Sequence, residues 1–201
     1  MTNGVEKPGG FGMNAVEPIR DPKAITALKA RLHQQNLRDM AWFTLGINTG
    51  LRIGDLLRLK VGDVRPTPKQ WVDRLIVMEQ KTGKRKDPPL SPPMKKALQE
   101  YLASRPDAQA TDPLFPSQRG GRPLTRQAAW RILSEAAQAV GITEPIGTHT
   151  MRKSWGYHAR KAGIDLTIIQ DVLNHSDPAV TYRYLGIDRD DRDQAYQSLN
   201  F

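Results

Sequence analysis

Between Trp71 and Leu90 the hydrophobic pattern changes its period. The segment WVDRLIVMEQ is rich in β-formers and bounded by polar turns, whereas the chain on either side repeats its apolar residues every three or four positions. Lys81-Thr82-Gly83-Lys84 reads as a turn, and residues 85–90 as a return strand weakened by Pro88 and Pro89, which cannot donate to a ladder. A lone hairpin is at best marginally stable in water. It must therefore pack on helices, and the expected class is mostly α with a small antiparallel β-sheet.

The helices carry their own punctuation. Asp21-Pro22 is an N-cap followed by proline at the first helical position, after which Ile25, Leu28 and Leu32 share one face. A second helix over about 37–47 is ended by Gly50. Residues 53–60 are expected to form a short helix with Ile53, Leu56, Leu57 and Leu59 turned inward. Further helices are predicted over about 92–103, 125–140 (Thr125 as N-cap), 148–162, 165–174, 177–185 and 189–198, with Gly163 and Gly186 as breaks. Residues 1–18, with Gly9, Gly10 and Gly12, read as a flexible leader, and 19–201 as one domain without internal repeats.

Composition excludes several chemistries. The 201 residues contain no cysteine, so disulfides, thiolate metal sites and cysteine nucleophiles are out. No apolar run approaches the roughly 20 residues a membrane span needs, and the N-terminus lacks the apolar region of a signal peptide, so a cytoplasmic protein is expected. The sequence has no Gly-x-x-x-x-Gly-Lys-Ser/Thr loop, no His-Glu-x-x-His and no acidic cluster with metal-site spacing, so neither metal nor cofactor is expected. Thirty Lys and Arg against 21 Asp and Glu leave a charge of +9, which suits a polyanion partner.

Several polar residues stand out. Arg52 opens a helix in TGLRIGDLL, with Asp55 three residues on; the pair fits a surface ion pair, or an arginine held so that its fork meets a phosphate. His149 and Arg152 share a spacing of three, and two such groups side by side make sense if both reach one external anion. His175 falls in a turn between helices, where Asn174 can end one and Ser176 or Asp177 can cap the next. That next helix bears Tyr182 and Tyr184, whose hydroxyls point about 200° apart. The hairpin turn offers Lys81, Lys84, Arg85 and Lys86, cations that suit a phosphate backbone or a solvated turn.

Taken in order, Thr-Gly-Leu-Arg-x-x-Asp-Leu, a lysine-bearing hairpin (EQKTGKRK), His-x-x-Arg, Leu-Asn-His-Ser, and a tyrosine nine residues past that histidine closely resemble the catalytic domain of the tyrosine recombinases, the phage-integrase family. The resemblance runs from about Ile19 to the C-terminus. It implies that fold, and site-specific DNA recombination through a 3′-phosphotyrosine intermediate. Residue by residue, it makes Arg52 and Arg152 the clamp on the phosphate, with Asp55 supporting Arg52. It makes Lys81 the general acid, His149 the group that helps deprotonate the nucleophile, and His175 a hydrogen bond to the phosphate. Spacing favours Tyr184 over Tyr182 as the nucleophile.

The resemblance also implies double-stranded DNA as partner. Lys84, Arg85, Lys86, Arg119, Arg122, Arg126 and Lys153 are candidate backbone contacts, with Arg131 and Arg160 as further surface cations. It implies a homo-oligomer on DNA, a dimer leading to a tetrameric synapse, with residues 188–201 docking on a neighbour and an accessory protein as a further partner. The family normally carries an extra N-terminal helical domain; the match begins by residue 19, so the expectation is a piece of a longer protein or a single-domain recombinase. A type IB topoisomerase or telomere resolvase would use the same intermediate. A catalytically silent DNA-binding protein would keep the fold without needing Lys81, His149 and Tyr184 together. An RNA or membrane-surface binder lacks its aromatic or amphipathic signature here.

Overall fold

In the computed structural model the described residues are 16–118, 120–147, 149–185 and 196–198. Helix α1 (Pro22–Gln35) starts where Asp21 accepts from the Lys23 amide at 2.8 Å. Asn36 then closes α1 through its own amide and caps α2 (Leu37–Thr49) with its side chain, so one extended residue makes the corner. Helix α2 is the axis of the fold: Met40 to Gly46 are buried without interruption, as expected of a helix surrounded by others. It packs against α1, α4 (Pro92–Ala103) and α6 (Thr150–Lys161). At the α2–α6 crossing a Cβ on Gly46 would lie 2.6 Å from the Met151 Sδ. Gly50 ends α2 at φ 63° against the face of Trp155.

The expected helix over 53–60 is shorter. Helix α3 spans Ile53–Leu56, and a single 3₁₀ turn covers Val61–Asp63. The chain leaves the helix because the Leu59 carbonyl accepts from Leu114 at 2.7 Å and Lys60 bridges Pro113. The expected inward residues, Ile53, Leu56, Leu57 and Leu59, are all buried. The hairpin is also shorter than the segments 71–80 and 85–90. Strand β1 (Val77–Met78) pairs antiparallel with β2 (Arg85–Lys86), Val77 opposite Lys86 and Met78 opposite Arg85. Beyond them the pairing thins to single bonds, Leu75 to the Pro88 carbonyl and Leu90 to that of Asp73, because two successive prolines have no N–H to give.

Helix α5 (Arg126–Ala139) is capped by Thr125, which accepts from Ala128 at 3.1 Å. Helices α7 (Leu166–Leu173) and α8 (Pro178–Leu185) complete the described fold. Asn174 ends α7 in the left-handed region, and Asp177 caps α8 by accepting from Ala179. The apolar interior has two parts. A large cluster joins α1 to α5 and the hairpin, and a small one joins Ala159, Ile169, Leu173 and Leu185 with Trp155 and Tyr184 at its edge. The expected leader over 1–18 lies outside the described residues except for Val16, Glu17 and Pro18, and the expected helix over 189–198 lies outside them except for 196–198. No helix of the described residues is long and apolar enough to cross a membrane.

Candidate active site

The two arginines reach the site from different elements. Arg52 sits at the N-cap of α3, just past the glycine turn that ends α2, and its side chain is 19% exposed. Arg152 lies in the first turn of α6 and is buried. Its Nη1 donates to the Gly50 carbonyl at 2.7 Å and its Nη2 to the Leu173 carbonyl, which binds the C-terminal ends of α2 and α7 to one cation. Helix C-termini carry partial negative charge, so this is a favourable place for a guanidinium.

Between the arginines lies Glu79, at the end of β1, with its side chain fully buried. Its Oε1 forms an ion pair with Arg52 and stands 4.0 Å from Nη1 of Arg152. Its Oε2 accepts from Thr82 Oγ1 at 2.7 Å and from Asn174 Nδ2 at 2.5 Å. Burial pushes this carboxyl up, but the bonds from Thr82, Asn174 and Arg52 outweigh it and hold the pKa below the ordinary value. Glu79 was not legible as a site residue. A single acid in a β-rich segment carries no motif, and the only signal was its position next to the lysine turn.

Asp55 has a different role from the expected support of Arg52. Its Oδ1 accepts from Arg58 Nη2 and from the Gln80 amide, both at 3.0 Å, so it ties α3 to the hairpin backbone while Glu79 takes the arginine. Lys81 is exposed on the turn. It lines a cleft of about 430 Å³ together with Arg52, Asp55, Gln80, Arg126 and His149. Arg126 reaches this cleft across Gly54, where an added Cβ would lie 2.1 Å from its Nη2.

His149 is the N-cap of α6, one residue before the helix proper. Partial burial, and after it Arg152, Arg52, Lys153 and Lys81, push its pKa below the ordinary value, so the ring is neutral at pH 7. His175 follows Asn174 in the α7–α8 turn, and its Nδ1 shares a hydrogen bond with Thr181 Oγ1 at 3.0 Å. Burial, with Arg152 and Arg52 adding to it, lowers His175 to about 4. Its ring meets that of Tyr184 edge-on, with centroids 5.0 Å apart.

The two tyrosines separate cleanly. Tyr182 is 45% exposed on the outer face of α8. The Tyr184 hydroxyl is buried and has no well-formed hydrogen bond among the described residues, while Lys153 Nζ stands 5.4 Å from its ring centroid. Burial pushes Tyr184 up to about 12, against the pull of Arg152 and Arg52. The structure thus brings His149, His175 and Tyr184 into the field of Arg152 and Arg52, with Glu79 between the two arginines and the turn that carries Lys81 bonded to it through Thr82.

The peripheral cations are less uniform. Lys84, Arg85 and Arg122 are exposed. Lys86 departs from the expected DNA contact: it is half-buried and donates to the Asp171 carbonyl at 2.5 Å, fastening the hairpin to α7. Arg131 stands 3.9 Å from Glu135. Arg119 lies outside the described residues.

Comparison with known proteins agrees with this fold. The sequence model of the phage integrase family matches residues 21–190. A probable integrase/recombinase, YoeC, of Bacillus subtilis (strain 168) is 42% identical over 185 residues, covering 92% of this chain and 97% of that protein. The tyrosine recombinase XerD of Corynebacterium glutamicum is 34% identical over 158 residues, covering 77% of this chain and 50% of its own length, so the chain spans about half of that relative. The fold is that of the XerH site-specific recombinase in a post-cleavage complex with palindromic difH substrate, with a TM-score of 0.69 at 17% identity over 91% of this chain and 53% of that one. On the strength of the family match and of the YoeC identity, the chain belongs to the phage integrase family.

Proposed function

We propose that residues 19–201 are the catalytic domain of a site-specific tyrosine recombinase that cuts and rejoins double-stranded DNA, with Tyr184 as nucleophile. The observation that carries this reading is the Tyr184 hydroxyl, buried beside His175 within the field of Arg152 and Arg52. Its oxygen attacks the scissile phosphorus, the bond to the 5′-oxygen breaks, and a 3′-phosphotyrosine forms. A 5′-hydroxyl then attacks that phosphotyrosine, releases the tyrosine and reseals the strand, so the bond energy is kept.

The residue types suit these steps. Charge builds on the non-bridging oxygens in the transition state, and two guanidiniums fixed beforehand stabilise it without reorganising. Arg152 is fixed by carbonyls at two helix ends and Arg52 by Glu79. A tyrosine near pKa 12 keeps its proton at neutral pH, so proton removal must accompany attack. His149 is neutral there and takes that proton. His175, also neutral, hydrogen-bonds the phosphate. Lys81, on the exposed turn, protonates the leaving 5′-oxygen. Lys84, Arg85, Arg122, Arg126 and Lys153 follow the phosphate backbone. The XerH complex with its difH substrate supports DNA as the partner. Lambda integrase, solved as a dimer on a core site and as a tetramer on a Holliday junction, supports a working dimer that pairs into a tetramer on DNA in the cytoplasm.

The test is a nicked cognate-site substrate in EDTA, from which the released 5′ fragment diffuses away. Wild type gives a covalent protein–DNA adduct, Tyr184→Phe gives none, and Tyr182→Phe retains it. An adduct retained in Tyr184→Phe and lost in Tyr182→Phe would overturn the assignment.

A further inference from the structure

Glu79 is buried at the centre of contacts from several elements of the site, yet the reaction gives it no proton to move. It touches groups from three elements: Arg52 at the start of α3, Thr82 in the hairpin turn, and Asn174 at the end of α7. Its own backbone closes the same turn, the Glu79 amide donating to the Lys84 carbonyl at 3.0 Å and the Gly83 amide to the Glu79 carbonyl at 2.8 Å. Arg152, 4.0 Å away, is already held by the carbonyls of Gly50 and Leu173. Arg52 has no such anchor, and the carboxylate is its one ion-pair partner among the described residues.

Two guanidiniums aimed at one point repel each other when no anion stands there. A fixed internal carboxylate removes that repulsion and gives the more exposed fork a single direction. An ion pair of this kind is geometrically specific because the buried carboxylate has its other oxygen saturated by Thr82 and Asn174. The same two bonds hold the residue next to Lys81 against the residue next to His175.

We propose that Glu79 is a positioning residue for the strand-transfer site: it aims Arg52 and fixes the Lys81 turn relative to the α7–α8 turn that carries His175. The proposal rests on the recombinase reading for its consequence in catalysis, and on the arginine geometry alone for its structural content. Glu79 carries a charge that DNA does not need, so its removal separates binding from chemistry.

The experiment uses Glu79→Gln, which keeps an acceptor for Thr82 and Asn174 but turns an uncharged amide towards Arg52, and Glu79→Asp, which keeps the charge one methylene short. Three readouts are taken on each: melting temperature, single-turnover adduct formation on the nicked substrate against DNA affinity, and the guanidinium Nε–H signals of Arg52 and Arg152 in ¹⁵N-labelled protein without DNA. The expected result is a folded Glu79→Gln with DNA affinity within about threefold of wild type. Its cleavage is slower by at least tenfold, and its Arg52 signal is shifted while that of Arg152 stays near its place; Glu79→Asp is intermediate. Wild-type cleavage with an unmoved Arg52 signal overturns the proposal, as does loss of melting and cleavage in proportion in both variants, which would make Glu79 a fold residue only. If wild type itself forms no adduct while the Arg52 signal still moves in Glu79→Gln, the recombinase reading fails and the aiming of Arg52 stands.

Discussion

Arg152 donates to the carbonyl of Gly50 at 2.7 Å across 102 residues of sequence. A single bond thus joins the glycine turn that presents Arg52 to the helix that presents His149. Substituting Arg152 by Lys keeps the charge and loses the fork. One carbonyl, on Gly50 or Leu173, is then left without its buried donor, at a cost of about 1–3 kcal/mol. The expected outcome is a lower melting temperature and adduct formation reduced by about 10²–10³, the range for removing one preorganised donor. Thermal melts and single-turnover assays check both.

Two glycines respond in opposite ways to the same added methyl group. At Gly46 the Cβ meets the Met151 sulfur inside the large core, where room can be made only by moving buried groups. Gly46→Ala should cost about 1–3 kcal/mol, read as a drop in the denaturation midpoint. At Gly54 the atoms nearest the Cβ are those of the Arg126 guanidinium, the end of an exposed side chain free to swing away. Gly54→Ala should leave the midpoint near wild type and weaken DNA binding by displacing Arg126 from the cleft.

Acid sensitivity has an identifiable origin. His175 is lowered from its ordinary 6.5 to about 4, so between those values the unfolded chain binds a proton that the folded one refuses. Stability is unaffected above pH 6.5, falls as pH drops towards 4, and levels off below. Glu79 adds to this at lower pH, since its depressed pKa gives stability that is lost as the carboxylate is protonated. His149 is also held below its ordinary value, so His175→Gln should reduce the decline between pH 6.5 and 4 without abolishing it, measured as denaturant midpoints across that window.

The hairpin cations should divide by position. Lys84 and Arg85 are exposed, and each that meets a DNA phosphate contributes about one to the slope of log affinity against log salt. Lys84→Gln and Arg85→Gln should flatten that slope. Lys86→Gln should leave it near wild type, because its ammonium is already committed to the Asp171 carbonyl. It should instead speed hydrogen exchange of the Glu79 and Gly83 amides, which close the turn.

Helix positions were readable because caps and periodicity are local. Asp21, Asn174 and Thr125 terminate helices where the sequence predicts, and Leu28 and Leu32 are buried as their spacing requires. The hairpin was readable in place but not in extent, since Pro88 and Pro89 act on a partner strand and not on their own segment alone. The ordered motifs single out Arg52, Lys81, His149, Arg152, His175 and Tyr184 from the sequence alone. The carboxylate that faces Arg52 was not visible. Asp55 is three residues from Arg52 and local reasoning pairs them, whereas Glu79 is 27 positions away and meets it only through the fold. The bond from Lys86 to the Asp171 carbonyl is hidden for a related reason: charge pattern says nothing about a carbonyl supplied by a distant helix.

The two-part interior has a consequence for timing. Tyr184 lies at the edge of a cluster of four buried residues, while Arg52 is rooted beside the large core. Regions with few buried apolar contacts open at a smaller free energy than the whole domain. The fraction of molecules with Tyr184 in register is therefore governed by a local equilibrium of α6, α7 and α8, and not by global stability. A modest cavity at Leu173 or Ile169 should slow strand cleavage while the melting curve barely moves, and a larger loss in α1 or α4 should shift the melt and leave the rate of the surviving folded molecules unchanged.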